Sequence, residues 1–138
     1  MAITAHVYQI FIAAEPDQVW AAITESDWTE RYFHSTRFVE PPVAGAAYRT
    51  VVVPAGRDAV DGMIEEMTPP ADGRPGRFVQ TWHVLYDATM AAEPPADHAN
   101  ARQAVTFPCW STSSRPAWCS AAFRCSTRPA VMCTWSDT

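Results

Sequence analysis

The sequence predicts an α+β domain built on an antiparallel sheet, and three observations lead there. An alternating apolar segment near the N-terminus is followed at once by two short helix-like segments in tandem. A meander of about four extended segments comes next, separated only by turns rich in proline and glycine. No helical periodicity divides that meander, and strands joined without a crossover helix pair antiparallel.

Each element has a local reason. His6 to Ala14 (HVYQIFIAA) reads as a strand, with His6, Tyr8, Ile10 and Ile12 on one face and Val7, Gln9 and Phe11 on the other. Glu15-Pro16-Asp17 reads as a helix start, because proline needs no amide partner in the first turn and acids suit the positive end of the helix dipole. Val19, Trp20 and Ile23 follow at helical spacing. Ser26 to Glu30 opens a second helix, with Asp27 and Glu30 at capping-box separation and Trp28, Tyr32 and Phe33 on roughly one face. Ser35–Val39, Ala46–Val53, Ala59–Met67 and Arg77–Tyr86 read as strands, and RFVQTWHVLY is the strongest of them.

A chain of 138 residues makes one domain, able to bury roughly two-thirds of its unfolded surface. Apolar residues at 48% and charged residues at 18% describe a globular protein. The net charge of −5 offers no basic footprint, so neither nucleic acid nor membrane is expected as a partner. No apolar run approaches the roughly 20 residues that cross a bilayer. Tyr8 and Gln9 interrupt the first apolar stretch and no Lys or Arg precedes Arg31, so a signal peptide is not expected and the expected location is the cytoplasm.

At this point the residues resemble a known family. Residues 14–24 (AEPDQVWAAIT) are similar to the opening of proteins related to the activator of heat-shock protein 90 ATPase, of the START-like or SRPBCC superfamily. Trp28 with Tyr32-Phe33, residues 62–70 (GMIEEMTPP), Phe78 to His83, and residues 82–87 running into Met90 to Pro95 carry the likeness further, in the family's order and spacing. The resemblance covers about residues 4–95 and implies the helix-grip fold, a curved antiparallel sheet around a long C-terminal helix. It implies a cytoplasmic bacterial protein that binds a small hydrophobic or aromatic molecule in a cavity between sheet and helices. The alternatives are a module that docks on a chaperone or another partner, a homodimer included, and an enzyme of the polyketide cyclase or dehydratase kind.

The likeness stops after Pro95, and the composition changes just beyond it, at residue 97. Residues 1–97 carry a net charge of −8, all five glycines and no cysteine. Residues 98–138 carry +3, all four cysteines and three of the six tryptophans. The expected organisation is an incomplete START-like domain over 1–97 and an atypical Cys/Trp/Ser/Arg/Pro-rich tail over 98–138, with the family's last strands and long helix missing or replaced. Pro108, Pro116 and Pro129 forbid a continuous long helix. Three readings of the tail stand side by side: a translated frameshift, a divergent terminus that packs by another route, and a disulfide-bonded or metal-binding appendage. Cysteine gaps of 10, 6 and 8 residues provide no CxxC pair, and no histidine follows Cys109, so reduced thiols are expected in place of a zinc site.

No catalytic or metal constellation emerges, and no cofactor is implied. His6, His34, His83 and His98 lack the spacing of a helical zinc pair, and GxSxG, HExxH and Gly-rich phosphate loops are absent. The adjacent Glu65 and Glu66 would point to opposite faces of a strand, leaving at most one inward carboxylate. The candidate cavity residues are Tyr32, Phe33, Tyr48, Arg49, Met63, Phe78, Trp82, His83 and Tyr86: rings and an apolar side chain for walls, with Arg49 and His83 as the polar members. The competing reading is that the rings fill core, Arg49 is a surface charge and His83 is a hydrogen-bonded strand histidine.

Overall fold

A computed structural model describes residues 4–71, 74–86, 88, 92, 101–112 and 115–127. The Met90–Pro95 stretch apart from Ala92, His98 and the end of the tail from residue 128 lie outside them. Strand β1 (Thr4–Ile12) leads into helices α1 (Pro16–Thr24) and α2 (Ser26–Tyr32). Strands β2 (Thr36–Phe38), β3 (Ala47–Val52), β4 (Arg57–Thr68), β5 (Gly76–Thr81) and β6 (His83–Val84) form the meander. The tail then contributes β7 (Ala101–Phe107), β8 (Cys109–Thr112) and β9 (Arg115–Thr127).

All pairings are antiparallel, in the order β1-β9-β7-β5-β4-β3-β2, with β6 on β4 and β8 on β9. The fold is therefore α+β, with two short helices after the first strand. The strands missing from the expectation after Pro95 are supplied by the tail itself, as β7 and β9. Among the described residues there is no long helix. The sequence hides β9 because its core side is built of small residues: Cys119 and Ala121 are fully buried beneath Val19 of α1. Neither proline breaks the pairing. Pro108 stands between β7 and β8 and offers its carbonyl to the Ser120 amide, while Pro116 sits near the start of β9.

Cys109 and Cys119 form a disulfide, which corrects the expectation of reduced thiols at these two positions. Register explains how they meet. They are Cα partners on β8 and β9, and the adjacent pair Pro108/Ser120 takes the hydrogen bond, so the cysteines occupy a non-hydrogen-bonded site where the strands come closest. Their Cα atoms are 4.1 Å apart.

Local rules place α1 well and α2 less simply. Gln18 Oε1 accepts the Glu15 amide N–H at 2.9 Å, the reciprocal arm of a capping box, and Pro16 opens the helix. The box expected between Asp27 and Glu30 does not form. Both carboxylates instead turn to the Arg37 guanidinium on β2, at 3.2 and 2.5 Å. The expected single strand Arg77–Tyr86 is interrupted at Trp82, splitting into β5 and β6. Gly62 of β4 lies against this break, and a Cβ there would come within 2.3 Å of the Thr81 carbonyl oxygen.

Two buried clusters hold the helices to the sheet. One gathers Val19, Val105, Phe107, Cys119 and Ala121, and the other Tyr48, Ala59, Val60, Ile64 and Phe78. Trp20 and Ile23 of α1 pack against both. The Trp20 ring lies 6.4 Å from Phe78 and 6.2 Å from Phe107, so one indole joins the two halves of the core.

Candidate functional site

Beneath α1 and α2 the sheet leaves a cavity of about 60 Å³. Its walls come from every layer: Ile23 on α1, Tyr32 and Phe33 at the end of α2, Tyr48 on β3, Phe78 and Gln80 on β5, and Gln103 and Val105 on β7. Alternation on β5 puts Phe78 and Gln80 on one face, and Trp82 just past its end lines the cavity with them. The walls are mainly apolar and aromatic. Phe33 meets Trp82 edge to face at 5.7 Å, fixing one ring against the other.

Polar groups in the wall fall into two kinds. Tyr48 donates its hydroxyl to the Thr81 carbonyl at 2.6 Å, and burial holds its pKa well above the usual phenol range. Thr29 donates to the Thr36 carbonyl at 3.0 Å, and Thr36 donates to the Phe33 carbonyl at 2.6 Å. These groups are spent on structure. Gln80 is different: it donates its amide N–H to Gln103 Oε1 at 2.9 Å, yet its own Oε1 has no partner. The Trp82 indole N–H is likewise buried without an acceptor. An acceptor and a donor thus stand unpartnered on one wall.

Tyr32 sits at the mouth. The residue is 46% exposed, its hydroxyl donates to the Ala22 carbonyl at 2.5 Å, and loss of water around that hydroxyl pushes its pKa up to about 12. On its far side runs an open apolar groove of about 460 Å³, bordered by Ile10 and Ile12 of β1, Val19 of α1 and Trp28 of α2. Ile23 and Tyr32 border both spaces and form the partition between them.

Five of the candidate residues therefore come together: Tyr32, Phe33, Tyr48, Phe78 and Trp82. Four do not. Arg49 and Met63 are exposed on the opposite side of the sheet, where Arg49 pairs with Asp58 at 3.5 Å. His83 is on that side too, its Nδ1 2.9 Å from Asp61 Oδ1, and Tyr86 is exposed beyond the end of β6. For Arg49, Met63 and His83 strand parity decides: each neighbours a buried residue and so points outward, whereas Tyr86 follows the last paired residue of β6 and belongs to no strand. Glu65 and Glu66 do not line the cavity; they pair with Arg102 and Arg77 at 2.5 and 2.8 Å. Gln80 was within reach of the sequence, since it alternates with Phe78 and Trp82. Gln103 was not, because nothing in the tail announced a strand. Among the described residues no group of three or more His, Cys, Asp or Glu is placed to hold a metal, and no helix is long and apolar enough to cross a membrane.

No protein-family model matches the chain, and no curated protein matches it. Solved structures do. Protein MLL2253 from Mesorhizobium loti superposes with a TM-score of 0.58 at 19% identity, over 91% of this chain and 79% of that one. Protein CV1439 from Chromobacterium violaceum gives 0.56 at 16%, over 93% and 83%. PFC0360w, an HSP90 activator from Plasmodium falciparum, gives 0.57 at 13%, over 92% and 75%. Identities this low speak for architecture alone, and the resemblance read from the sequence holds at that level. The chain has the α+β helix-grip fold, shared with an HSP90 activator.

Proposed function

We propose that this chain binds a small, mainly apolar molecule that carries an aromatic ring and a hydroxyl group. The observation that carries the reading is the pair of unpartnered buried atoms, Gln80 Oε1 and Trp82 Nε1, on the wall of an otherwise apolar cavity. A buried polar group without a partner costs about 1–3 kcal/mol, and native proteins keep few of them. A hydroxyl is donor and acceptor at once, so it answers both atoms, while its ring meets Phe33, Phe78 and Trp82.

Space supports the same reading once the partition moves. Drug-sized ligands occupy roughly 300–1,000 Å³, more than the cavity alone provides. Swinging the half-exposed Tyr32 ring outward would join the 60 Å³ cavity to the 460 Å³ groove. The ring would then enter first, with the remainder of the molecule lying in the groove. No covalent chemistry is needed.

The test pairs two probes of one shape, 2-naphthol and 2-methylnaphthalene, in thermal unfolding. Expected is stabilisation by both and more by the naphthol, approaching about 2.7 kcal/mol at a hundredfold excess over its dissociation constant. Trp82→Phe should keep the methylnaphthalene shift and lose the extra shift of the naphthol. Absence of any shift with either probe would remove the reading. A docking role on a chaperone is then the second choice, supported by the fold shared with PFC0360w, and it calls for a partner-dependent complex that charge reversal at surface acids disrupts.

A further inference from the structure

Strand β1 ends the described sheet, with β9 on one side of it and no strand on the other. Edges of this kind are usually short, charged, bulged or broken by proline, because an open row of backbone N–H and C=O groups recruits another strand. β1 has none of these guards. It runs nine residues (TAHVYQIFI), pairs with β9 without a bulge, and contains no Asp, Glu, Lys, Arg or Pro. Val7 and Phe11 lie on its outer face 66% and 62% exposed, and Ile10 looks toward the open groove on the other side.

From this we infer that β1 is the interface for a second copy of the same chain, joined edge to edge across a two-fold axis at Gln9. The occupant follows from the pattern of the strand. An antiparallel partner centred on Gln9 sets Val7 of one copy opposite Phe11 of the other, twice, on the outer face. Pairs of an aromatic with a β-branched residue are the favourable cross-strand combination, and an uncharged strand meets its own copy without like-charge opposition. A two-fold contact uses the same edge on both copies, so assembly stops at two and the two sheets become one. The inference does not depend on what the cavity binds.

Sedimentation equilibrium of the full chain from micromolar to millimolar concentration tests it. The expected result is a reversible monomer–dimer equilibrium. Val7→Lys with Phe11→Lys sets like charges opposite each other in both outer pairs and should raise the dissociation constant roughly tenfold or more. Val7→Lys with Phe11→Glu disturbs the monomer as much but sets opposite charges in both pairs, and should recover most of that loss. Val43→Lys, at the exposed loop before β3, should leave the equilibrium unchanged. Circular dichroism checks that each variant keeps its sheet. A monomer at every concentration, growth beyond two copies, a dimer indifferent to the like charges, or a loss the opposite charges fail to restore would each overturn the inference.

Discussion

Gln80 and Gln103 are Cα partners on β5 and β7, and their side-chain hydrogen bond of 2.9 Å turns Gln80 Oε1 into the cavity with nothing to accept from. Gln80→Leu removes that buried acceptor at similar size, while the half-buried Gln103 loses one donor. The ligand-free chain should melt at a higher temperature than the wild type, by up to the equivalent of about 1–3 kcal/mol. The same variant should lose the preference for a hydroxylated ring. Calorimetry of both forms checks the pair of effects, and a clear fall in melting temperature would show that Gln80 is there for structure alone.

Gly76 faces Phe107 across the same ladder, and a Cβ at Gly76 would come within 2.2 to 2.6 Å of the Phe107 ring. Phe107 is fully buried and cannot step aside. Gly76→Ala should therefore cost about 1–3 kcal/mol in urea unfolding, the usual penalty of overpacking. In a Phe107→Leu background the cost of the same substitution should shrink, since the clashing ring atoms are gone. Equal costs in the two backgrounds would mean that the glycine matters for its backbone and not for the ring.

Alkaline pH should weaken the fold through its tyrosines. Burial raises Tyr32 from 10 to about 12 and holds Tyr48 well above its ordinary value, so the folded state keeps protons the unfolded state gives up. The contribution is fully present below pH 10 and is lost as pH rises from 10 through 12. Tyr32→Phe should flatten part of that decline while giving up the bond to the Ala22 carbonyl. Urea unfolding at a series of alkaline pH values reads the slope.

Reduction of the Cys109–Cys119 bridge should destabilise the chain by about 2–3 kcal/mol, the loop-closure effect for partners ten residues apart. A larger loss is not expected, because Cys119 stays packed among Val105, Phe107 and Ala121 as a thiol. Melting with and without dithiothreitol, alongside the Cys109→Ala, Cys119→Ala double variant, measures it. Wild type and double variant should converge under reducing conditions.

The helices and the meander were legible from the sequence because their signals are local. Pro16 at a helix start, the glycine and proline turns, and the alternation of Phe78, Gln80 and Trp82 each declare themselves within a few residues. The walls contributed by Tyr32, Phe33 and Tyr48 follow once that order is known. Which way Arg49, Met63 and His83 face depends on strand parity relative to a core, and the break at Trp82 adds a local irregularity that composition does not announce. The tail was the harder part. Cys119, Ser120 and Ala121 have the low bulk of a strand that must pass under a helix, and low bulk without alternation looks like a loop. Their partners, on β1 and β7, are set by tertiary pairing and not by spacing.

That pairing has a consequence for how the chain is made. β1 is made before every other described strand, but its partner in the described sheet is β9, with Thr4 opposite Thr127. An uncharged apolar nonapeptide must therefore wait through synthesis of most of the domain before its own hydrogen bonds can close. Sheets closed by such distant segments fold slowly, and their exposed strands are open to misassociation in the interval. A nascent-chain holdase that recognises extended apolar segments would find its most persistent target in β1, and a ribosome stalled short of Thr127 would present that strand with its pairing incomplete.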